Sequence, residues 1–141
     1  MTQSSTPSMS SMFEDVVRFH QEILGVPPRE SLTMHSQEWI LERGRFLAEE
    51  NAEFLDAALT GDMTGAVDGL LDTIYVALGT LYMMGVPVQH CWDVVQLANM
   101  SKVKGVTKRG NAIDAVKPTG WTGPEAGITT ILLAEVNKAT D

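Results

Sequence analysis

The chain has 141 residues, 44% of them hydrophobic, and 18 acidic against 10 basic side chains give a formal net charge of −8. This length is typical of one domain with its own hydrophobic core. Because a long phosphate backbone requires a basic surface, the acidic balance argues against a nucleic-acid partner.

The first eleven residues carry no targeting signal. Residues 1–11 are rich in Ser and Thr, with neither a basic start nor an apolar stretch. We therefore expect a disordered segment here and not a signal peptide. We find no apolar run near 20 residues, so we predict no transmembrane helix and no membrane partner. The single cysteine, Cys91, cannot form an internal disulfide, which favours a cytoplasmic protein.

From residue 13 onwards the apolar spacing predicts an all-α protein, an antiparallel bundle of about four to five helices. A first helix is predicted over residues 13–24. Ser36 is a candidate N-cap for a second helix that runs to about residue 60, where Gly61 ends it. A third helix begins at Asp62 or Thr64 and runs to residue 84.

The C-terminal part changes character. A fourth helix is predicted over residues 87–103, with Pro87 in its first turn. Residues 104–123 are rich in Gly, Lys, Pro and Thr and are predicted to form a basic loop. A last helix is predicted over residues 124–138, and no strand is expected. The chain 1–141 is therefore interpreted as a single domain.

Two groups of acids lie at helical spacing. Glu50 and Glu53 are three residues apart on the second helix, and Asp68 and Asp72 are four apart on the third. Asp72 lies mid-helix among large aliphatic residues, where an unpaired carboxylate is costly to bury. A shared divalent cation such as Mg²⁺ or Mn²⁺ would relieve the repulsion, so these four acids form a predicted metal site. For Glu49, Glu50 and Glu53 alone, a solvated acidic face is the simpler explanation.

A di-iron carboxylate bundle requires Glu-x-x-His on two helices. No glutamate in this chain is followed three residues later by histidine. The sequence therefore argues against that class of site.

Positive charge is concentrated in the C-terminal third. Asn99 and Lys102 are three residues apart, and Lys104, Lys108, Arg109 and Lys117 follow them. Such cations suit a triphosphate. The alternative is that Lys102 complements a helix C-terminus and the others belong to a solvated loop.

The aromatic residues can likewise be interpreted as ligand-binding or as structural. Trp121 is a candidate to stack on a nucleobase, or else to anchor the loop to the core. Lys117 and Trp121 are counted with Asn99 and Lys102 as candidate substrate-binding residues. Trp39 and Trp92 are predicted to be core residues.

The order of these motifs resembles the all-α nucleoside triphosphate pyrophosphohydrolases, the superfamily of MazG, dimeric dUTPase and phosphoribosyl-ATP pyrophosphohydrolase. Their small phage and bacterial branch is the most similar. The resemblance rests on five stretches: Phe13 to His20, Glu49 to Glu53, Asp68 to Gly79, Asn99 to Lys102, and Lys117 to Pro124.

The resemblance implies a Mg²⁺-dependent enzyme that cleaves a nucleoside triphosphate to the monophosphate and pyrophosphate, by attack of water on the α-phosphate. By the same resemblance, Glu50, Glu53 and Asp72 bind the metal, and Glu49 or Glu50 activates water. Asn99 and Lys102 contact the nucleotide, and the protein is a homodimer or homotetramer.

The chain departs from the superfamily at one position. The superfamily usually has Glu-x-x-Asp on the second acidic helix, whereas Gly69 stands three residues before Asp72 here. Asp68, four residues before Asp72, shares its face and is the predicted substitute. If it does not reach the metal, the alternative is a non-catalytic helical module that binds a nucleotide or a protein.

Overall fold

The computed structural model describes residues 9–106 and 114–138, which are mainly helical as predicted. The chain divides into two compact units, Met1–Val86 and Pro87–Asp141. The described elements, in chain order, are α1 (Met9–Glu22), α2 (Gln37–Leu59), α3 (Met63–Met83), α4 (Val88–Met100), β1 (Val103–Gly105), β2 (Asp114–Val116) and α5 (Glu125–Lys138).

The first unit is built on a hairpin of α2 and α3, and α1 packs against α3. The Ser36 hydroxyl caps α2 by accepting a 3.2 Å hydrogen bond from the Trp39 amide. Asp62 caps α3, because its Oδ1 accepts a 3.0 Å hydrogen bond from the Gly65 amide. Gly61, with φ of 78°, makes the tight turn between the two helices that a side chain would strain.

The start of α1 differs from the prediction. The helix begins at Met9, ahead of the predicted start at residue 13 and inside the segment that we expected to be disordered. Residues 1–8 of that segment lie outside the described residues.

The second unit contains the main departure from the predicted secondary structure. Residues 104–123 were predicted to form a loop, but β1 and β2 pair there as an antiparallel ribbon, with Val103 opposite Val116. The helix α4 therefore ends at Met100 instead of Val103. Strands of three residues are too short for an alternating pattern to identify. Lys108 and Arg109 lie outside the described residues.

The core of each unit is thin. Among the described residues, the buried apolar ones are Val16, Ala66, Val76, Leu78 and Tyr82 in the first unit, and Val88 and Ala98 in the second. The prediction that Trp92 is a core residue is wrong, because 41% of its surface is exposed. Trp39 is half-buried and stacks on the imidazole of His35, with ring centroids 3.9 Å apart.

The helix α3 is more apolar than the sequence analysis recognised. By length and composition alone it is long enough to cross a membrane, contrary to our expectation, and 33% of its apolar stretch is buried within the protein. A core helix of a soluble protein meets the same criteria. Asp68 and Asp72 lie in its first half, where a bilayer would impose a large desolvation cost on their charges.

Candidate active site

Three of the predicted metal ligands converge in the first unit. Glu50 and Glu53 come from one face of α2, and Asp72 comes from the facing part of α3. One carboxylate oxygen of each lies within 4.8 Å of the corresponding oxygens of the other two. The burial of the three side chains is graded, since Glu50 is buried, Asp72 is half-buried and Glu53 is exposed. The cluster therefore has a closed inner end and an end open to solvent.

Glu50 is the unusual member of this cluster. Only 9% of its surface is exposed, and its Oε2 is buried without a hydrogen-bond partner. Burial raises the pKa of the Glu50 carboxyl, and the carboxylates of Glu53, Asp72 and Asp68 raise it further. An ionised carboxylate in this position lacks the compensation that buried charges normally have.

A divalent cation would supply that compensation. Hard cations such as Mg²⁺ are bound by carboxylate oxygens, and three carboxylates that include a buried, unpartnered oxygen fit such an ion. The exposed side of the cluster, at Glu53, is open to solvent. The residues present therefore fit a divalent cation.

Asp68 does not join the three-carboxylate cluster. It is exposed on α3, one turn before Asp72, although its charge is close enough to raise the pKa of Glu50. Position 69, where the superfamily usually has glutamate, faces α2 and is buried. A methyl group built on Gly69 would come within 2.9 Å of the Phe54 backbone nitrogen, so no side chain fits there in this packing.

Glu49, the other predicted catalytic residue, is exposed and lies outside the cluster. It lines a cleft of about 500 Å³ together with Trp39, Arg43 and Phe46. Its proposed role in activating water stays a prediction.

A cavity of about 390 Å³ adjoins the carboxylate cluster, and we call it the inner cavity. Glu50 and Asp72 form one part of its wall. The other lining residues come from α1, α2, α3 and the segment after α1, and they are Phe19, His20, Leu24, Arg43, Phe46, Tyr75 and Val76.

Sequence reasoning missed two further polar groups in this wall, His20 and Arg43. Arg43 lies seven residues before Glu50 and therefore on the same face of α2, which is a usable signal. His20 offers none, because only the packing of α1 on α3 brings it to the cavity. A mostly apolar cleft with few polar groups is typical of a small-molecule site.

The four candidate substrate-binding residues lie together in the second unit. The Lys102 ammonium donates a 3.1 Å hydrogen bond to Asn99 Oδ1. The Lys102 and Lys117 ammonium nitrogens lie 5.2 Å and 5.0 Å from the centroid of the Trp121 ring. Trp121 Nε1 donates a 2.9 Å hydrogen bond to the Ala98 carbonyl, so the indole anchors its loop to α4. Two cations thus share one aromatic ring.

Comparison with known families identifies the class of protein. A family model described as phosphoribosyl-ATP pyrophosphohydrolase matches residues 16–99. The chain belongs to the phosphoribosyl-ATP pyrophosphohydrolase family. This family is part of the MazG-like all-α nucleoside triphosphate pyrophosphohydrolase superfamily, as the motif order had indicated. No curated protein matches the chain.

Family membership agrees with the site geometry. The matched residues contain the carboxylate cluster, the inner cavity and Asn99, whereas Lys102, Lys117 and Trp121 lie beyond them. The phosphoribosyl-ATP pyrophosphohydrolase family implies hydrolysis of a phosphoanhydride bond and is typically dependent on a divalent metal. The cluster of Glu50, Glu53 and Asp72 is the place in this chain that suits such a metal.

Proposed function

We propose that the protein is a Mg²⁺-dependent nucleoside triphosphate pyrophosphohydrolase, with Mn²⁺ as an alternative ion. The observation that carries this proposal is Glu50, a buried glutamate with an unpartnered oxygen among the carboxylates of Glu53 and Asp72. A buried acid without a partner is expensive in a purely structural role. In a member of a pyrophosphohydrolase family, a catalytic metal site accounts for it.

In the proposed reaction, a water oxygen bonds to the α-phosphorus and the bridging α–β P–O bond breaks. Pyrophosphate leaves with the electron pair, and the nucleoside monophosphate remains. A bound divalent ion neutralises phosphate charge and lowers the pKa of a bound water. Glu50, Glu53 and Asp72 would hold this ion, and the negative charge of Asp68, which lies outside the cluster, would support it from the exposed side.

The protein's own groups have further proposed roles. Glu49 or Glu50 accepts the proton of the attacking water, since a carboxylate can act as a general base within hydrogen-bond reach. Asn99, Lys102, Lys117 and Trp121 bind the substrate. The two lysines lie on one indole ring, and their positive charge suits a polyphosphate group.

We also propose that the protein assembles as a homodimer or homotetramer in the cytoplasm. The support is the large number of exposed apolar side chains on the α2–α3 hairpin, which include Leu55, Leu59, Met63, Val67, Leu70, Leu71 and Ile74. Exposed apolar side chains in this number are unusual in a soluble monomer, and apolar surface marks interaction sites.

The test is hydrolysis of a panel of NTPs and dNTPs with Mg²⁺ in ¹⁸O-labelled water. We expect pyrophosphate to be released, with the label in the monophosphate because water attacks the α-phosphorus. Glu50→Gln should abolish turnover, and the matched control Glu38→Gln, an exposed residue in the first turn of α2, should retain it.

Two results would contradict the proposal. Release of inorganic phosphate would indicate a different bond specificity. If no nucleotide is hydrolysed but nucleotides still raise the melting temperature, the protein is a non-catalytic nucleotide-binding module.

A further inference from the structure

Arg43 joins the two helices that carry the carboxylate cluster. Its Nε donates a 2.9 Å hydrogen bond to Thr80 Oγ1, and its Nη2 donates a 3.1 Å hydrogen bond to the Val76 carbonyl. The Thr80 hydroxyl donates to the same Val76 carbonyl, at 2.7 Å. Among the described residues, the two bonds of Arg43 are the only hydrogen bonds found between α2 and α3. We call Arg43, Val76 and Thr80 the arginine clamp.

The guanidinium of Arg43 is held on its α2 side as well. It lies over the rings of Phe46 and Trp39, with Cζ 5.5 Å and 6.0 Å from the ring centroids. In the described part of the chain, Arg43 forms no ion pair with a carboxylate. Its hydrogen bonds therefore link α2 to α3, and no carboxylate of the cluster is its direct partner.

The arginine clamp lies close to the carboxylate cluster along both helices. Arg43 stands seven residues, about 10 Å of helix, before Glu50. Val76 stands four residues, about 6 Å of helix, after Asp72. Because α2 and α3 form a hairpin, both intervals lead from the cluster away from the hairpin turn. The clamp therefore joins the two helices one to two turns from the predicted metal ligands.

Glycines set the distance between the helices on the other side of the cluster. Methyl groups built on Gly65 and Gly69 would come 2.9 Å from Ala57 Cβ and from the Phe54 backbone nitrogen, respectively. Both contacts lie between the cluster and the hairpin turn. The cluster therefore lies between a close contact of the two helices and the arginine clamp. Together these constraints determine how the carboxylates of α2 meet the carboxylate of α3.

We propose that Arg43 is a positioning residue, because the arginine clamp holds Glu50 and Asp72 at the spacing that Mg²⁺ requires. This inference rests on the proposed function. Without an ion the like charges of the cluster repel, so the helices that carry them have to be held together. Mg²⁺ demands near-ideal octahedral geometry, whereas Ca²⁺ accepts flexible geometry with longer bonds. A loosened clamp should therefore weaken Mg²⁺ binding more than Ca²⁺ binding.

Thr80→Val tests the clamp without altering the cluster. Thr80 lines neither the inner cavity nor the cleft at Glu49, and valine keeps its shape while removing the acceptor for Arg43 Nε. Calorimetric titration with Mg²⁺ and with Ca²⁺ is the measurement. We expect Mg²⁺ affinity to fall about tenfold, as for the loss of a supporting group, and Ca²⁺ affinity to fall less than about threefold. Thr80→Ser keeps the hydroxyl and should restore the wild-type values.

Thr73→Val is the matched control. The Thr73 hydroxyl donates to the Gly69 carbonyl of its own helix and, among the described residues, has no partner in α2. This variant should leave the affinity for both ions unchanged. Unchanged Mg²⁺ affinity in Thr80→Val, or equal losses for Mg²⁺ and Ca²⁺, would overturn the proposal.

Substitution of the arginine itself should have a larger effect. Arg43→Met removes both bonds between the helices, so we expect Mg²⁺ affinity to fall by about 10- to 100-fold. Arg45→Met, at an exposed arginine of the same helix, is the control and should bind Mg²⁺ as the wild type does. Equal losses in Arg43→Met and Arg45→Met would contradict a role for the clamp.

A double-mutant cycle tests the clamp in the metal-free protein. Arg43 and Glu50 are about two helix turns apart and share no hydrogen-bond partner among the described residues, so independent effects on stability should add. If the clamp holds the carboxylates together, Arg43→Met lets them move apart, and Glu50→Gln then relieves less repulsion. We expect the effect of Glu50→Gln on the unfolding equilibrium constant, measured in urea, to be at least about threefold smaller in Arg43→Met than in wild type.

This cycle separates failure of the clamp from failure of the proposed function. Additive effects would overturn the proposal. A non-additive cycle in a protein that binds neither ion would support the positioning of the carboxylates and refute the metal site. If Arg43→Met does not fold, Thr80→Val takes its place in the cycle, with the same expected sign.

Discussion

Gly69 of α3 lies directly against the backbone of Phe54 in α2. A methyl group built on Gly69 would come 2.9 Å from the Phe54 nitrogen and 3.0 Å from its Cα. This contact sets how closely the two acidic helices approach. It also explains why position 69 cannot carry a metal ligand, although it stands three residues before Asp72.

We predict that Gly69→Ala destabilises the protein by about 1–3 kcal/mol, because the new methyl overlaps with backbone that cannot move aside. The control is Gly44→Ala, at a mid-helix position of α2 with no atom within 4 Å of the new methyl. There the better helix propensity of alanine should stabilise by about 0.5–1 kcal/mol. Urea denaturation measures both, and a stabilising Gly69→Ala would show that the helices can separate at little cost.

The two aspartates of α3 should contribute unequally to metal binding. Asp72 belongs to the three-carboxylate cluster, whereas Asp68 is exposed and lies outside it. We expect Asp72→Asn to lower Mg²⁺ affinity more than 100-fold, and Asp68→Asn to lower it by about tenfold, as for a supporting group. Calorimetric titration with Mn²⁺ or Mg²⁺ gives both values. Equal losses would mean that Asp68 is a direct ligand.

Glu50 should make the stability of the metal-free protein depend on pH. Its folded-state pKa is raised above the ordinary value of 4.5, so the folded state binds the proton more tightly than the unfolded chain does. Stability should therefore fall as the pH rises from 4.5 through the raised pKa, and the loss is complete above it. Glu50→Gln should remove this component and melt at or above the wild-type temperature at neutral pH. Melting curves across pH 4–8 check the sign, and a wild type that gains stability relative to Glu50→Gln as the pH rises would contradict it.

Removal of the metal gives a separate test on the same pair of proteins. Mg²⁺ at about 100 times its Kd should stabilise the wild type by about 2.7 kcal/mol, and EDTA should reverse the effect. Glu50→Gln should show no such shift. A Mg²⁺ effect of the same size in both proteins would place the ion elsewhere.

The lysines on Trp121 should affect substrate binding more than chemistry. We expect Lys102→Met and Lys117→Met each to raise KM several-fold with little change in kcat, because each removes a charge that attracts phosphate. Lys138→Met, at an exposed lysine of α5 that pairs with Glu135, is the control. Steady-state kinetics at two salt concentrations measures this, since screening should shrink the difference. A change in kcat alone would contradict a role in binding.

The exposed apolar side chains of the α2–α3 hairpin, from Leu55 to Ile74, should mediate self-association. Leu70 is 47% exposed on this face. We expect Leu70→Glu to convert the dimer or tetramer to a monomer, because a charge in an apolar interface is left unpaired. Gln96→Glu, at an exposed polar position of α4, is the control. Light scattering after size exclusion measures the mass, and an unchanged assembly would exclude this face as the interface.

Local sequence determined most of the helical framework. Ser36 and Asp62 cap their helices, and Gly61 and Gly85 lie just beyond two helix ends, because caps and turns depend on a few neighbouring residues. The placement of Glu50 and Glu53 on one face of α2 follows from helical periodicity in the same way. The β1–β2 ribbon was missed, since short strand pairing depends on a distant segment that local patterns do not report.

The tertiary structure decided which of these residues act together. All four predicted metal ligands are carboxylates, so their chemistry alone does not distinguish them. Glu50 is buried and Asp68 is exposed because of the way α2 packs against α3. The same approach brings Arg43 to the inner cavity, and the packing of α1 adds His20. Burial and convergence arise from contacts between segments far apart in the chain, and these determine the electrostatics of the site.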